Sequence, residues 1–165
     1  MNNLKKIILL LSFSSPVMVL AEGSLEIDVN LSPAGSYKAK TTNVEGSAQK
    51  TDAGVSAEGI IVDLDTLKTG IGLRDKHTKD RLLTSKYPKA KLVKATGKDG
   101  KGEGLIEVRG KKQKVQGTYK VEGETLKAEF PMKLSDLDIK DVRYMGVGVK
   151  DTVVVHVTVP LNKKK

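Results

Sequence analysis

The sequence predicts an all-β fold, an antiparallel barrel of about eight strands with one short helix, and three observations carry that prediction. Apolar residues recur with a period of two along most of the chain from residue 22 onward, which marks half-buried strands. Clusters of Gly, Pro and Asp punctuate these runs. Small residues (Ala39, Ala57, Gly59, Gly117, Ala128) fall on faces otherwise apolar. Sheets of this kind close as a sandwich or a barrel, and small inward groups favour a barrel with space inside.

The first strand sets Leu25, Ile27, Val29 and Leu31 against Glu26, Asp28 and Asn30, and ends at the turn Ser32-Pro33-Ala34-Gly35. From Ser36 a second places Tyr37, Ala39 and Thr41 opposite Lys38 and Lys40. A polar stretch with Asp52-Ala53-Gly54 leads to a strand from Glu58 to Leu64. Between Asp75 and Ser85 the pattern changes: an Asp placed to cap, a Lys/Arg-rich turn and Leu82-Leu83 predict the one helix.

Ala90 and Leu92 precede the turn Gly97-Lys98-Asp99-Gly100, and Ile106 and Val108 follow it. Next come Val115, Gly117, Tyr119 and Val121, a hairpin at Glu122-Gly123, and then Leu126, Ala128, Phe130, Met132 and Leu134. Pro131 takes the outward parity of that strand, which predicts a place near an edge or bulge. Val153, Val155, Val157 and Val159 form the last strand, with His156 outward, before a frayed end at Lys163-Lys164-Lys165.

Residues 1–21 read as a secretory signal: Lys5 and Lys6, an apolar run from Ile7 to Leu20, and Val19-Leu20-Ala21 at a cleavage-compatible end. The domain is then residues 22–165, placed in the periplasm or secreted. Without the two leader lysines, the chain's 29 basic and 20 acidic residues leave a charge of +7. No further apolar stretch approaches membrane-spanning length.

The absence of cysteine excludes a disulfide framework, a thiolate nucleophile and a thiolate zinc site. His77 and His156 are too few for a convincing metal or catalytic cluster, so no catalytic residue, metal or other cofactor is assigned. Gly70-Ile71-Gly72 and Gly146-Val147-Gly148 lack the third glycine and strand-to-helix setting of a dinucleotide site. No Gly-x-Ser-x-Gly elbow occurs. Arg74, Asp75 and His77 read as a capped turn with a local ion pair. Export argues against nucleic acid as the partner of the basic surface, whose lysines alternate with apolar residues as a solvated barrel wall should.

The run Gly72-Leu73-Arg74-Asp75-Lys76-His77 with Lys86-Tyr87-Pro88 resembles the YceI family of exported lipid-binding proteins. The resemblance continues through Gly104-Leu105-Ile106-Glu107-Val108-Arg109-Gly110 and Val149-Lys150-Asp151-Thr152-Val153, covering most of residues 54 to 161. It implies a lipocalin-like barrel in the periplasm that encloses a polyisoprenoid or similar amphiphile without catalysis. Thr78 departs from the family's usual Leu, and Arg81-Leu82-Leu83 replaces an aromatic-rich segment.

The functional expectation is therefore a carrier whose barrel holds a polyisoprenoid, quinone-like or fatty amphiphile. Its candidate lining is Tyr37, Ala57 and Ile61 from the first half, and Ala90, Leu92, Gly117, Tyr119, Ala128, Phe130, Val155 and Val157 from the second. The alternative, from another class, is a ligand-free module that offers its basic surface to acidic envelope polymers or a partner protein. The sequence leaves the oligomeric state open.

Overall fold

The computed structural model describes residues 22–163; the expected leader, Lys164 and Lys165 lie outside them. Period-two sequence becomes strand almost throughout. In chain order the elements are β1 (Ser24–Ser32), β2 (Ser36–Thr41), β3 (Val44–Glu45), β4 (Ala48–Thr51), β5 (Gly54–Asp63), α1 (Gly72–Leu82), β6 (Lys89–Lys98), β7 (Lys101–Val108), β8 (Lys111–Glu122), β9 (Thr125–Lys133), β10 (Arg143–Tyr144), β11 (Val147–Val149) and β12 (Thr152–Asn162). Two short 3₁₀ turns, Leu64–Thr66 and Ser135–Leu137, follow β5 and β9.

Seven strands close the barrel: β4 to β9 in sequence order, then β12 between β9 and β4. The expected barrel of about eight antiparallel strands is thus a ring of seven with one parallel contact, Leu161 and Asn162 of β12 beside Ala48 and Gln49 of β4. β1 lies outside the ring because the same edge of β12 is shared, pairing with β1 at Val154–Thr158 before it reaches β4. β2 pairs with β1, β3 with β5, and the β10–β11 hairpin attaches to the far end of β1.

The hairpins follow local backbone chemistry. Asp99-Gly100 and Arg109-Gly110 both adopt positive φ at two successive residues, the geometry whose twist matches flanking antiparallel strands. Gly97, read from sequence as the start of a turn, stays in β6. Pro131 pairs only with Val154 of β12, since the β8–β9 ladder stops at Glu129; its missing N–H therefore falls where no neighbour needs it.

The helix begins three residues before the expected cap. Ile71 occupies the N-cap without a side-chain hydrogen bond, and Asp75 turns back to the preceding loop, accepting from both the backbone N and Oγ1 of Thr69 at 2.6 Å. These two donors hold the Asp75 carboxyl below the usual carboxylate range. Leu82 is half-buried against the core, whereas Leu83 sits in the left-handed conformation that ends the helix and is exposed.

Two apolar clusters support the barrel. The larger gathers Leu64 and Leu67 beyond β5, Leu137 and Ile139 beyond β9, and Val62, Val108 and Val153 from the wall, so that one end is closed by apolar side chains. Arg109 donates to the Leu137 carbonyl and ties the second 3₁₀ turn across this end. The smaller joins Ala48, Ile60, Leu126, Val159 and Leu161 near the β12–β4 closure.

Candidate ligand-binding cavity

Between the clusters the barrel encloses a cavity of about 180 Å³ with apolar walls. Its origin is visible in the inward residues of three adjacent strands: Ala95 and Gly97 of β6, Gly102 and Gly104 of β7, and Gly117 of β8. Where neighbouring positions carry Leu or Val, side chains meet across the interior. Here most of that volume is missing.

The glycines do not all make empty space. A Cβ on Gly97 would lie 2.5 Å from Cε1 of Tyr119, and one on Gly102 would lie 3.8 Å from its Cδ1, so the Tyr119 ring occupies the room those glycines leave. A Cβ on Gly117 would fall inside the Glu129 carbonyl oxygen and 2.7 Å from Cβ of Phe130. Gly117 therefore permits the close crossing of β8 and β9 as well as lining the cavity. Gly104 faces Leu92, whose Cδ1 would stand 3.3 Å from an added Cβ.

Of the residues singled out from the sequence, Ala57, Ala90, Leu92, Gly117, Tyr119, Ala128, Phe130, Val155 and Val157 line the cavity. Tyr37 and Ile61 do not. Tyr37 belongs to β2, outside the ring; its ring packs against the larger cluster, with the Arg74 guanidinium 4.3 Å above it. Ile61 is displaced by a change of parity. Gly59 takes φ 65° opposite Val93, and neither joins the ladder, although pairing resumes in the same register as Ile60 with Leu92. Ala57 and Ile60 consequently both face inward, Val62 follows, and Ile61 points away.

Sequence reasoning missed Leu25 and Ile27 of β1, Ile60 and Val62 of β5, Ile106 and Val108 of β7, and Met132 of β9, all of which reach the cavity. For β1, β7 and β9 the signal is present in the apolar parity of the sequence. For β5 it was not, because only the left-handed turn at Gly59 reveals the flip.

Charge is kept on the outer surface. Lys38 and Lys40 of β2 pair with Glu26 of β1, and Lys38 also meets Asp28 at 3.0 Å. His156 follows on β12, Nε2 3.0 Å from Asp28 and Nδ1 3.3 Å from Glu129. Lys38, through its hydrogen bonds, is the main cause holding both Glu26 and Asp28 below ordinary carboxylate values; Lys40 adds to the first and His156 to the second.

Arg74, Asp75 and His77 do not converge. Arg74 donates to the Thr69 carbonyl at 3.0 Å, Lys68 lies 3.9 Å from Asp75 in place of the expected Arg74 pair, and His77 packs on Tyr144 with ring centroids 5.5 Å apart. Among the described residues no three His, Asp or Glu side chains are grouped to hold a metal ion, and no helix is long and apolar enough to cross a membrane.

A lipocalin-type barrel around an apolar void is the architecture of a small-molecule binding protein. The YceI-like domain model matches residues 21–161, and the chain belongs to that family. The fold is similar to that of Burkholderia cenocepacia BcnA, with a TM-score of 0.62 and 15% identity over 83% of this chain and 96% of that one. It is also similar to a polyisoprenoid binding domain from Saccharophagus degradans implicated in plant cell wall breakdown, with a TM-score of 0.57 and 15% identity over 84% and 94% of the two chains. A mutant CJ YCEI protein with a monobromobimane guest gives a TM-score of 0.56 at 14% identity, over 77% of this chain and 85% of that one. No curated protein matches the sequence.

Proposed function

We propose that this chain is an exported, non-catalytic carrier that holds the apolar chain of an amphiphile inside its barrel. The observation that carries the reading is the apolar cavity of about 180 Å³, built where inward positions carry Gly and Ala. Family membership and the polyisoprenoid binding described for the Saccharophagus domain support it. Export to the periplasm rests on the leader-like residues 1–21 and on the family.

The cavity also bounds the guest. At roughly 30 Å³ per water-sized group, it takes about six carbons, a little more than one isoprene unit, and the rest of a longer tail extends beyond it. At about 0.8 kcal/mol per CH₂, burying about six groups supplies about 5 kcal/mol before association and ordering costs, with little discrimination among slim chains. The lining candidates remain Ala57, Ala90, Leu92, Gly117, Tyr119, Ala128, Phe130, Val155 and Val157, joined by Ile60 and Val62.

Native mass spectrometry of the purified protein, followed by solvent extraction, tests the reading. A bound amphiphile released by the solvent is expected. An unliganded protein that also fails to take up added long-chain alcohols would refute it. Surface capture of acidic polymers, the competing reading, would fall steeply with ionic strength, whereas uptake of an uncharged chain would not.

A further inference from the structure

The barrel wall is unevenly stitched. β8 and β9 pair from Thr118 with Glu129 to Glu122 with Thr125, and the ladder goes no further. Upstream, residues 111–117 of β8 pair with β7 alone along their remaining length, and residues 130–133 of β9 pair only with β12. Gly117 stands at the split, where the two backbones touch before diverging. The seam beyond it is filled by side chains: Val115 and Met132, both half-buried, and a hydrogen bond from Gln113 Nε2 to Asp136 Oδ2 at 3.1 Å. Parting it at Val115 and Met132 costs the contacts of one valine and one flexible methionine and disturbs one exposed hydrogen bond, with no strand ladder to break; the Lys111–Asp138 ion pair and the Arg109 bond to the Leu137 carbonyl close the seam farther along.

Outside the seam lies an open cleft of about 910 Å³. Ala95, Thr96, Glu103, Gly104, Val115 and Met132 wall both this cleft and the apolar cavity, so the two spaces are separated by a single layer. Lys94, Lys114 and Lys133 stand on the cleft, all exposed, and among the described residues none has an acidic partner within ion-pair distance, although Lys133 lies near enough to Asp151 to help lower its carboxyl. Elsewhere lysines such as Lys38, Lys40 and Lys111 are neutralised by neighbours. Two acids share the cleft, Glu103 and Asp136, and Asp136 is engaged by Gln113. The wall the cavity presents is almost wholly apolar and offers nothing to neutralise an ionised group.

We propose that this cleft is the head-group site of the cavity's guest: a single anionic head, carboxylate or phosphate, rests against Lys94, Lys114 and Lys133 while its tail passes between Val115 and Met132 into the barrel. The inference rests on the reading of the cavity as a site for an apolar chain. It gives each part of an amphiphile a matching surface, keeps the ionised group in water, and lets a tail longer than the cavity remain partly outside.

Dodecanoate and dodecanol have the same tail and differ in the head, so displacement of a fluorescent fatty probe by each separates the two surfaces. In the variant Lys114→Gln/Lys133→Gln, dodecanoate should bind about tenfold more weakly and dodecanol within about twofold of the unaltered protein. Glu103→Gln should tighten dodecanoate and leave dodecanol unchanged. Equal losses for both ligands, or unchanged dodecanoate binding in the double variant, would overturn the head-group site. Inorganic phosphate titrated into dodecanol-loaded protein distinguishes a lipid head from a free anion: tight, saturable uptake would make the cleft a free-anion site and also overturn the proposal. If the unaltered protein takes up neither chain, the cavity reading itself fails, a result distinct from loss of head-group discrimination.

Discussion

Strand β7 passes through two different environments within eight residues. At one end Ile106 and Val108 are buried in the larger cluster and bound the cavity with branched side chains, while Gly102 and Gly104, on the same inward parity, leave it open. Pairing with β8 is continuous along both halves. Within β7 the difference is therefore one of side-chain volume. One end is stabilised by close packing, and the other tolerates a void that an apolar chain can fill.

That contrast yields opposite expectations for the two regions. The largest effect belongs to the packed end: Leu67→Ala or Leu137→Ala, each removing a fully buried side chain, should cost about 2–5 kcal/mol in urea denaturation. Uptake of an uncharged chain should survive in whatever fraction stays folded. Next comes the crossing of β8 and β9, where Gly117→Ala should cost about 1–3 kcal/mol because the methyl group meets β9 backbone. A stability unchanged within error would mean that the strands separate freely there.

In the hollow region the order reverses. Ala128→Phe should lower the affinity for dodecanol by about tenfold or more while changing stability by less than about 1 kcal/mol, since the ring enters existing space. A variant that unfolds, or that binds as well as the original, would erase the distinction between the two regions.

The smallest effect lies on the outer face. Glu26 and Asp28 titrate below their unfolded values, so their ion pairs contribute stability that is full above about pH 5 and is lost as pH falls through the lowered folded values. Urea midpoints measured from pH 7 downward should show this loss, and Lys38→Met should diminish it. A pH slope identical in the variant would remove Lys38 as its cause.

Much of this arrangement was legible in the sequence because strand parity is a local property. Alternation identified β1, β2, β8, β9 and β12 and put Tyr119, Ala128 and Val157 on the inner face. What escaped was set by partners far along the chain. The flip that replaces Ile61 by Ile60 and Val62 depends on Gly59 meeting Val93 across a ladder. Tyr37 has inward parity on a strand that the ring leaves out, a consequence of β12 dividing its edge between β1 and β4. Gly117 looked like a space-maker, and only the nearness of β9 shows why a side chain is not admitted. The short strands β3, β10 and β11 carry too few residues to display a period.

The most direct test of the central claim is the dependence of affinity on chain length, measured by calorimetry with normal alcohols of increasing length. An apolar cavity of about 180 Å³ predicts a steady gain per CH₂ that levels off at about six carbons, with Ala128→Phe moving the break to shorter chains. Affinity independent of length, or a break that Ala128→Phe does not move, would contradict it.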